Sequence, residues 1–140
     1  MQASFAYNGN RMRVTISGGT GFVGGRLLAQ LLPAGASVHL LTRQLRPGLP
    51  SGVVPHLWDP LREAAPPDSL AGSEALVHLM GEPVAQRWSP EIKRRIRDGR
   101  TVSTRDLVSA IEMAEPRPQT LICASAVGYY GSRGDEWLDE

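Results

Sequence analysis

Short apolar runs alternate along the chain with longer stretches of helical spacing, and this alternation sets the fold class. Val14-Thr15-Ile16-Ser17 is a β-branched run that ends in glycines, which predicts a strand. Over residues 22–32 the apolar positions Val23, Leu27, Leu28, Leu31 and Leu32 fall at helical spacing, and Pro33 and Gly35 stop that helix. Residues 38–41 predict a second strand that ends at Thr42-Arg43, followed by a Pro/Gly loop over 44–50. Residues 53–58 predict a third strand, in which Pro55 argues for an edge or a bend. The proline-rich stretch 61–72 has no defined pattern. Residues 75–79 are continuously apolar, which suits a strand covered on both faces. Helices are predicted over 90–97 and 103–114, with Pro90 at the start of the first and Pro116 and Pro118 after the second. Residues 121–124 predict a fifth strand. Residues 1–11 lack periodicity and read as a loose leader ahead of one domain over 12–140.

Strands alternating with helices predict an α/β fold, a doubly wound parallel sheet with helices on both faces and right-handed crossovers. Such a sheet usually continues into a sixth strand and a substrate-binding region. Few residues follow the fifth strand, so the sequence reads as a C-terminally incomplete unit, the front portion of a longer protein.

The segment Ser17-Gly18-Gly19-Thr20-Gly21-Phe22-Val23-Gly24 joins the first predicted strand to the first predicted helix. That setting makes the glycine triplet a dinucleotide-binding signature of the Rossmann type. Gly18 lets the chain turn sharply off the strand, Gly21 lets a pyrophosphate approach the backbone, and Gly24 lets the helix pack closely on the sheet. The first helical N–H groups have no internal partners, and the helix dipole favours an anion beside them.

The end of the second strand bears on the choice of dinucleotide. NAD-binding units carry an acid there for the ribose 2′-OH, whereas Leu41-Thr42-Arg43 offers none. An arginine suits a 2′-phosphate, which it grips through a bidentate fork, so NADP is expected over NAD. The alternative is a solvated surface arginine. Asp59, after the third strand, serves either as an acceptor for the adenine amino group or as Asp-Pro turn chemistry. Leu79-Met80-Gly81 ends the fourth strand, where open α/β sheets bind ligands; Gly81 either leaves room there or is a simple loop glycine.

Composition narrows the class further. An apolar fraction of 41% supports one core in 140 residues. The net charge of +1 gives no sign of nucleic-acid or anionic-membrane binding. The basic run Lys93-Arg94-Arg95 with Arg97 is flanked by Glu91 and Asp98 and reads as a solvated helix face. No apolar stretch is long enough to span a bilayer and no signal-peptide order opens the chain, so a cytoplasmic protein is expected. The single cysteine, Cys123, lies in an apolar run and reads as a buried core thiol in a reducing compartment. His39, His56 and His78 lack metal-ligand spacing and read as packing residues, so no metal is expected.

Several segments together resemble the extended short-chain dehydrogenase/reductase superfamily, of the NAD-dependent epimerase/dehydratase type. They are the glycine motif, Leu41-Thr42-Arg43, His78-Leu79-Met80-Gly81-Glu82-Pro83, Arg87-Trp88, and Ile96-Arg97-Asp98-Gly99-Arg100 with Thr104. Ser125-Ala126-Val127-Gly128-Tyr129-Tyr130-Gly131 and Gly134-Asp135-Glu136 complete the set. Within the superfamily the chain is similar to epimerase-like proteins labelled as homologues of a cell-division inhibitor. Met80 departs from the pattern, where the family more often has alanine, and its bulk would crowd the nicotinamide ribose. The resemblance implies that Gly18, Thr20, Gly21, Phe22 and Val23 line the pyrophosphate, with Gly19 and Gly24 completing the loop. It places Thr42 and Arg43 at the 2′-phosphate, Leu79 and Met80 at the ribose, and Arg100 toward the cofactor. Ser125 matches a hydroxyl that orients the substrate's reacting oxygen; a loop serine satisfying the backbone is the other reading.

The superfamily's proton carrier is a tyrosine followed four residues later by a lysine. The chain contains no such pair. Arg133 follows Tyr129 at that spacing, but the resemblance puts Tyr129 in the loop after the fifth strand, so the pair is expected beyond residue 140. The expected function is the cofactor-binding portion of an NADP-dependent oxidoreductase or nucleotide-sugar-type epimerase. Its partner is a small-molecule substrate, with room for a homodimer and none for nucleic acid or membrane. A non-catalytic NADP-binding sensor on the same fold stays open.

Overall fold

The computed structural model describes residues 6–7, 10–124 and 131–137. A two-residue antiparallel ladder comes first, β1 (Ala6–Tyr7) with β2 (Asn10–Arg11), where the sequence pattern offered only a leader. The main sheet holds β3 (Arg13–Ser17), β4 (Ser37–Thr42), β5 (Val53–Leu57), β6 (Ala75–His78) and β7 (Thr120–Cys123). All its pairings are parallel, in the order β5-β4-β3-β6-β7. The helices are α1 (Phe22–Leu31), α2 (Pro67–Leu70) and α3 (Pro90–Met113).

Period-two alternation sorts the sheet's two faces. Val14, Ile16, Val38 and Val77 point to one side and form a buried cluster with Leu28, against which Leu27 and Leu31 of α1 pack. On the other side Leu41 and Leu76 join Trp58, Ala65, Leu70, Leu107 and Ala114, under α2 and α3. Each fully buried Leu or Ile contributes about 1.5–3 kcal/mol of transfer free energy, so both helix layers are needed to close the core. Every residue of β6 is buried, as its largely apolar run predicts, and His78 at its end is buried with them. Pro55 sits in β5, which pairs only with β4 at the sheet edge, where a missing N–H breaks no interior ladder.

Three expectations need correction. The two helices predicted over 90–97 and 103–114 are one continuous helix, α3, which runs through Gly99. A helical glycine costs about 1 kcal/mol against alanine, but the burial of Ser103 and Leu107 anchors this helix on the sheet. Its N-terminus is capped by Ser89, whose hydroxyl accepts from the Ile92 N–H at 3.2 Å. The patternless stretch 61–72 contains α2, and Trp58 just before that stretch is the largest fully buried side chain, its Nε1–H donating to the Glu63 carbonyl at 3.1 Å. Finally, Cys123 is exposed rather than a core thiol, because among the described residues β7 pairs only with β6 and its residues lie open.

Candidate functional site

β3 and β6 are neighbours in the sheet, yet the chain leaves them toward opposite edges, β4 on one side and β7 on the other. This is the topological switch point, and a crevice opens beyond the carboxyl ends of the two strands. The glycine loop fills that position. Gly18 has φ +75°, and a Cβ on it would lie 2.7 Å from the Leu79 carbonyl carbon and 2.8 Å from the Met80 nitrogen. Glycine is therefore required there both by the backbone and by the approach of the β6 exit. A Cβ on Gly24 would strike the Gly18 carbonyl oxygen and stand 2.5 Å from the Gly19 Cα. The close packing that Gly24 permits is thus between α1 and the loop itself, one layer nearer the site than the sheet. Gly19 turns inward, where a Cβ would meet Leu40 Cδ1 at 2.5 Å.

Gly21 differs from these three. Its φ of −81° suits any residue, and a Cβ on it would meet only the Gly18 oxygen within 4 Å, at 3.2 Å. Its open side faces the crevice, so the space it keeps free is ligand space. Gly21 is also the N-cap of α1, with no side chain to cap the helix and no acid in the first turn. The first N–H groups of α1 are left to a ligand, at the positive end of the helix dipole.

A cleft of about 590 Å³ extends from this loop across the ends of β4 and β6, lined by Gly18, Thr20, Gly21, Leu41, Thr42, Arg43, Gln44, Arg46, Asp59, Arg62, Leu79, Met80 and Gly81. That size falls within the range of small-molecule sites. Three arginines, Arg43, Arg46 and Arg62, are among the residues that line it. Asp59 is the one carboxylate among the described residues lining the cleft, and it is already engaged: Oδ1 accepts from the Leu61 N–H at 3.1 Å, and Oδ2 stands 3.4 Å from Arg62 Nε. The Asp-Pro turn reading therefore describes what its carboxylate does here. The Thr42 hydroxyl donates to the Gln44 carbonyl at 2.9 Å and shapes the turn that presents Arg43.

A second hollow continues the cleft toward α3, sharing Arg43, Asp59, Met80 and Gly81 and adding Pro60, Leu61, Glu82, Arg95 and Gly99. Glu82 and Arg95 pair across it at 3.0 Å. The Arg100 guanidinium lies against Gly81, where a Cβ would come within 3.0 Å of Nη2. The room left by Gly81 is thus taken by Arg100. Behind this wall runs a buried polar chain. Ser103 Oγ donates to the Gly99 carbonyl at 2.6 Å, which leaves it to accept from His78 Nε2 at 3.0 Å. His78 Nδ1 then accepts from Ser17 Oγ at 2.5 Å. The imidazole is neutral, and burial, then the charge of Arg100, holds its pKa below the ordinary value.

Of the residues singled out from sequence, Gly18, Thr20, Gly21, Thr42, Arg43, Asp59, Leu79, Met80 and Gly81 meet in the cleft. Gly19 and Gly24 support it from within, and Arg100 stands behind Gly81. The side chains of Phe22 and Val23 are 83% and 60% exposed and do not line it; only their backbone belongs to the helix N-terminus. Ser125 and Tyr129 lie outside the described residues, while Arg133 pairs with Glu136 at 3.7 Å. Sequence reasoning missed Arg46 and Arg62, which lie in a Pro/Gly loop and a patternless stretch with nothing local to mark them. It also missed the bonds of His78. Among the described residues no His/Cys/Asp/Glu cluster suits a metal, and no helix is long and apolar enough to cross a membrane.

Comparison with known proteins agrees with this geometry. The model of the NAD-dependent epimerase/dehydratase family matches residues 14–139. The chloroplastic epimerase family protein SDR39U1 homolog of Arabidopsis thaliana is 36% identical over 94% of this chain and 39% of its own length. Epimerase family protein YfhF of Bacillus subtilis is 34% identical over 92% of this chain and 42% of its own. Among solved structures, the human epimerase family protein SDR39U1 with NADPH superposes with a TM-score of 0.67 at 31% identity, covering 85% of this chain and 38% of that one. A nucleoside-diphosphate sugar epimerase from Corynebacterium glutamicum gives 0.69 at 37% identity, over 93% and 26%. The chain thus spans about two fifths of the length of the curated relatives it matches. With a Rossmann-type sheet, a nucleotide-binding glycine loop at its switch point and a family match along nearly its whole length, the chain belongs to the NAD-dependent epimerase/dehydratase family of the extended short-chain dehydrogenase/reductase type.

Proposed function

We propose that this chain is the NADP-binding portion of a short-chain dehydrogenase/reductase-type oxidoreductase or epimerase acting on a small-molecule substrate. The observation that carries the reading is that three arginines, Arg43, Arg46 and Arg62, line the cleft with a single carboxylate, Asp59, which is already held by a turn N–H and by Arg62. A 2′-phosphate bears about two negative charges near neutral pH and suits such a lining, whereas the 2′-OH of NAD needs an acceptor. The uncapped N-terminus of α1 and the open side of Gly21 suit the pyrophosphate. Leu79 and Met80 would hold the nicotinamide ribose, with Gly81 beside them and Arg100 the wall behind Gly81. When bound, the nicotinamide supplies hydride transfer. Ser125, next but one after β7, is the candidate for orienting the substrate's reacting oxygen. The NADPH in the human relative's structure supports the same choice.

Calorimetric titration of the chain with NADPH and NADH tests this reading. A hydrogen bond to a charged group is worth about 1.5–3 kcal/mol, so NADPH should bind at least about tenfold tighter. Arg43→Ala should lose most of that preference. Equal affinities, or a preference unchanged in Arg43→Ala, would sink the proposal.

A further inference from the structure

The hydrogen-bonded chain Ser17–His78–Ser103 lies wholly inside the protein, with Ser17 and Ser103 at 0% exposure and His78 at 4%. Each member is adjacent to a different wall of the cleft. Ser17 ends β3 and immediately precedes Gly18. His78 ends β6 and immediately precedes Leu79, whose carbonyl carbon packs on Gly18. Ser103 bonds the carbonyls of Gly99 and Arg100, at 2.6 and 3.2 Å, on the turn of α3 that lays Arg100 against Gly81. The same turn passes beside the Glu82 backbone, where a Cβ on Gly99 would make an ordinary contact 3.9 Å from the Glu82 nitrogen.

A core that needed only packing would place apolar groups at the junction of three elements. Three polar side chains there must all be satisfied, and one arrangement of protons does it: Ser17 O–H to Nδ1, Nε2–H to Ser103, and Ser103 O–H to the α3 carbonyls. That arrangement is directional. The bonds from Ser103 to its own helix's carbonyls orient the hydroxyl, and the bond from His78 across to Ser103 fixes the ring and the face that α3 turns toward the end of β6.

We propose that His78 is a positioning residue for the cofactor cleft: through Ser103 it sets the α3 turn that holds Arg100 against Gly81, and through Ser17 it ties that turn to the strand entering the glycine loop. The proposal rests on the reading of the cleft as a dinucleotide site. It assigns His78 no contact with the cofactor. Its effect passes through Arg100, which the α3 turn bearing Gly99 and Ser103 lays against Gly81, while its ring bonds Ser17 and Ser103.

The test has two parts. Side-chain nitrogen NMR of the labelled chain at neutral pH should find His78 as the fixed Nε2–H tautomer; the Nδ1–H form, or fast averaging of the two, overturns the proposal without reference to any ligand. NADPH titration then separates positioning from general packing. Ser103→Ala should weaken binding about tenfold, and Ser103→Thr, which restores the hydroxyl, should bind within about twofold of wild type. Leu107→Val, equally buried one turn further along α3 and outside the hydrogen-bonded chain, should bind as wild type does. In an Arg100→Ala background the Ser103→Ala loss should vanish, because the positioned group is gone. A Ser103→Ala loss that matches Leu107→Val, or that persists in full without Arg100, refutes the inference. If the wild-type chain binds no NADPH, the cleft reading falls and this inference with it. If wild type binds and Ser103→Ala binds equally well, this inference falls alone.

Discussion

Alanine at Gly24 and alanine at its neighbour Gly25 should have opposite effects on stability. Both residues lie in the first two turns of α1, and both substitutions gain helix propensity, worth about 1 kcal/mol in a helix interior and about half that this close to the N-terminus. At Gly25 nothing lies within 4 Å of the new methyl group, so that gain stands alone. At Gly24 the methyl group meets the Gly18 oxygen and lies 2.5 and 2.8 Å from the Gly19 Cα and carbonyl carbon. These are backbone atoms, and they cannot retreat: Gly18 is backed by Leu79 and Met80, and Gly19 by Leu40. Overpacking of this kind costs about 1–3 kcal/mol, and immobile neighbours place it at the upper end. The net expectation is a loss of about 2 kcal/mol for Gly24→Ala against a gain of about 0.5 kcal/mol for Gly25→Ala. For a chain of this size the two variants should melt roughly 8–10 °C apart. Thermal denaturation followed by circular dichroism, with urea denaturation to check the ordering, measures the gap. If Gly24→Ala melts at or above Gly25→Ala, the contact between α1 and the glycine loop is not as tight as described.

Other perturbations follow from the same geometry. Gly21→Val should abolish NADPH binding while leaving the far-ultraviolet circular dichroism largely native, since its Cβ meets only one backbone oxygen and its branches occupy space beside the loop that lines the cleft; retained wild-type affinity would remove the loop from the site. His39 stacks on His56 with ring centroids 4.9 Å apart, and its Nδ1 lies 3.1 Å from Arg13 Nη2. Burial, then Arg13 and His56, hold its pKa down at about 4 against an ordinary 6.5. The folded state therefore binds fewer protons than the unfolded chain between those values, so stability is full above about pH 6.5 and falls as pH drops toward 4. With solvent screening part of the Arg13 charge, the loss should be about 1–2 kcal/mol. Urea midpoints across that range should show it, and His39→Gln should reduce the slope, with His56 and His78, whose pKa values burial also lowers, supplying the remainder.

The elements legible in the sequence were those whose information is local. The run Val14-Thr15-Ile16-Ser17, the glycines after it and the helical spacing behind them specify β3, the loop and α1 within twenty residues, and the switch-point cleft follows once the strands alternate with helices. Pro55 argued for an edge or a bend for a reason confined to one missing N–H, and the edge is what the sheet shows. What escaped depends on distant partners. Ser17 and His78 are 61 positions apart and His78 and Ser103 are 25, so no spacing rule joins them. Gly99 reads as a break because its cost is local, whereas the burial of Ser103 and Leu107 that outweighs it is tertiary. Arg46 and Arg62 acquire meaning only when the loop after β4 and the turn after β5 are brought to one cleft.

Because β7 stands at an open side of the sheet, the chain's one sulfhydryl is a ready-made reporter. Cys123 is exposed and is the only cysteine in the sequence. A maleimide or a spin label can therefore be attached at a single known point without any engineering, on the strand whose partner residue in register is His78. The same accessibility has a practical cost. Air oxidation of a concentrated sample can couple two chains through this atom, so a reductant belongs in every measurement of assembly state.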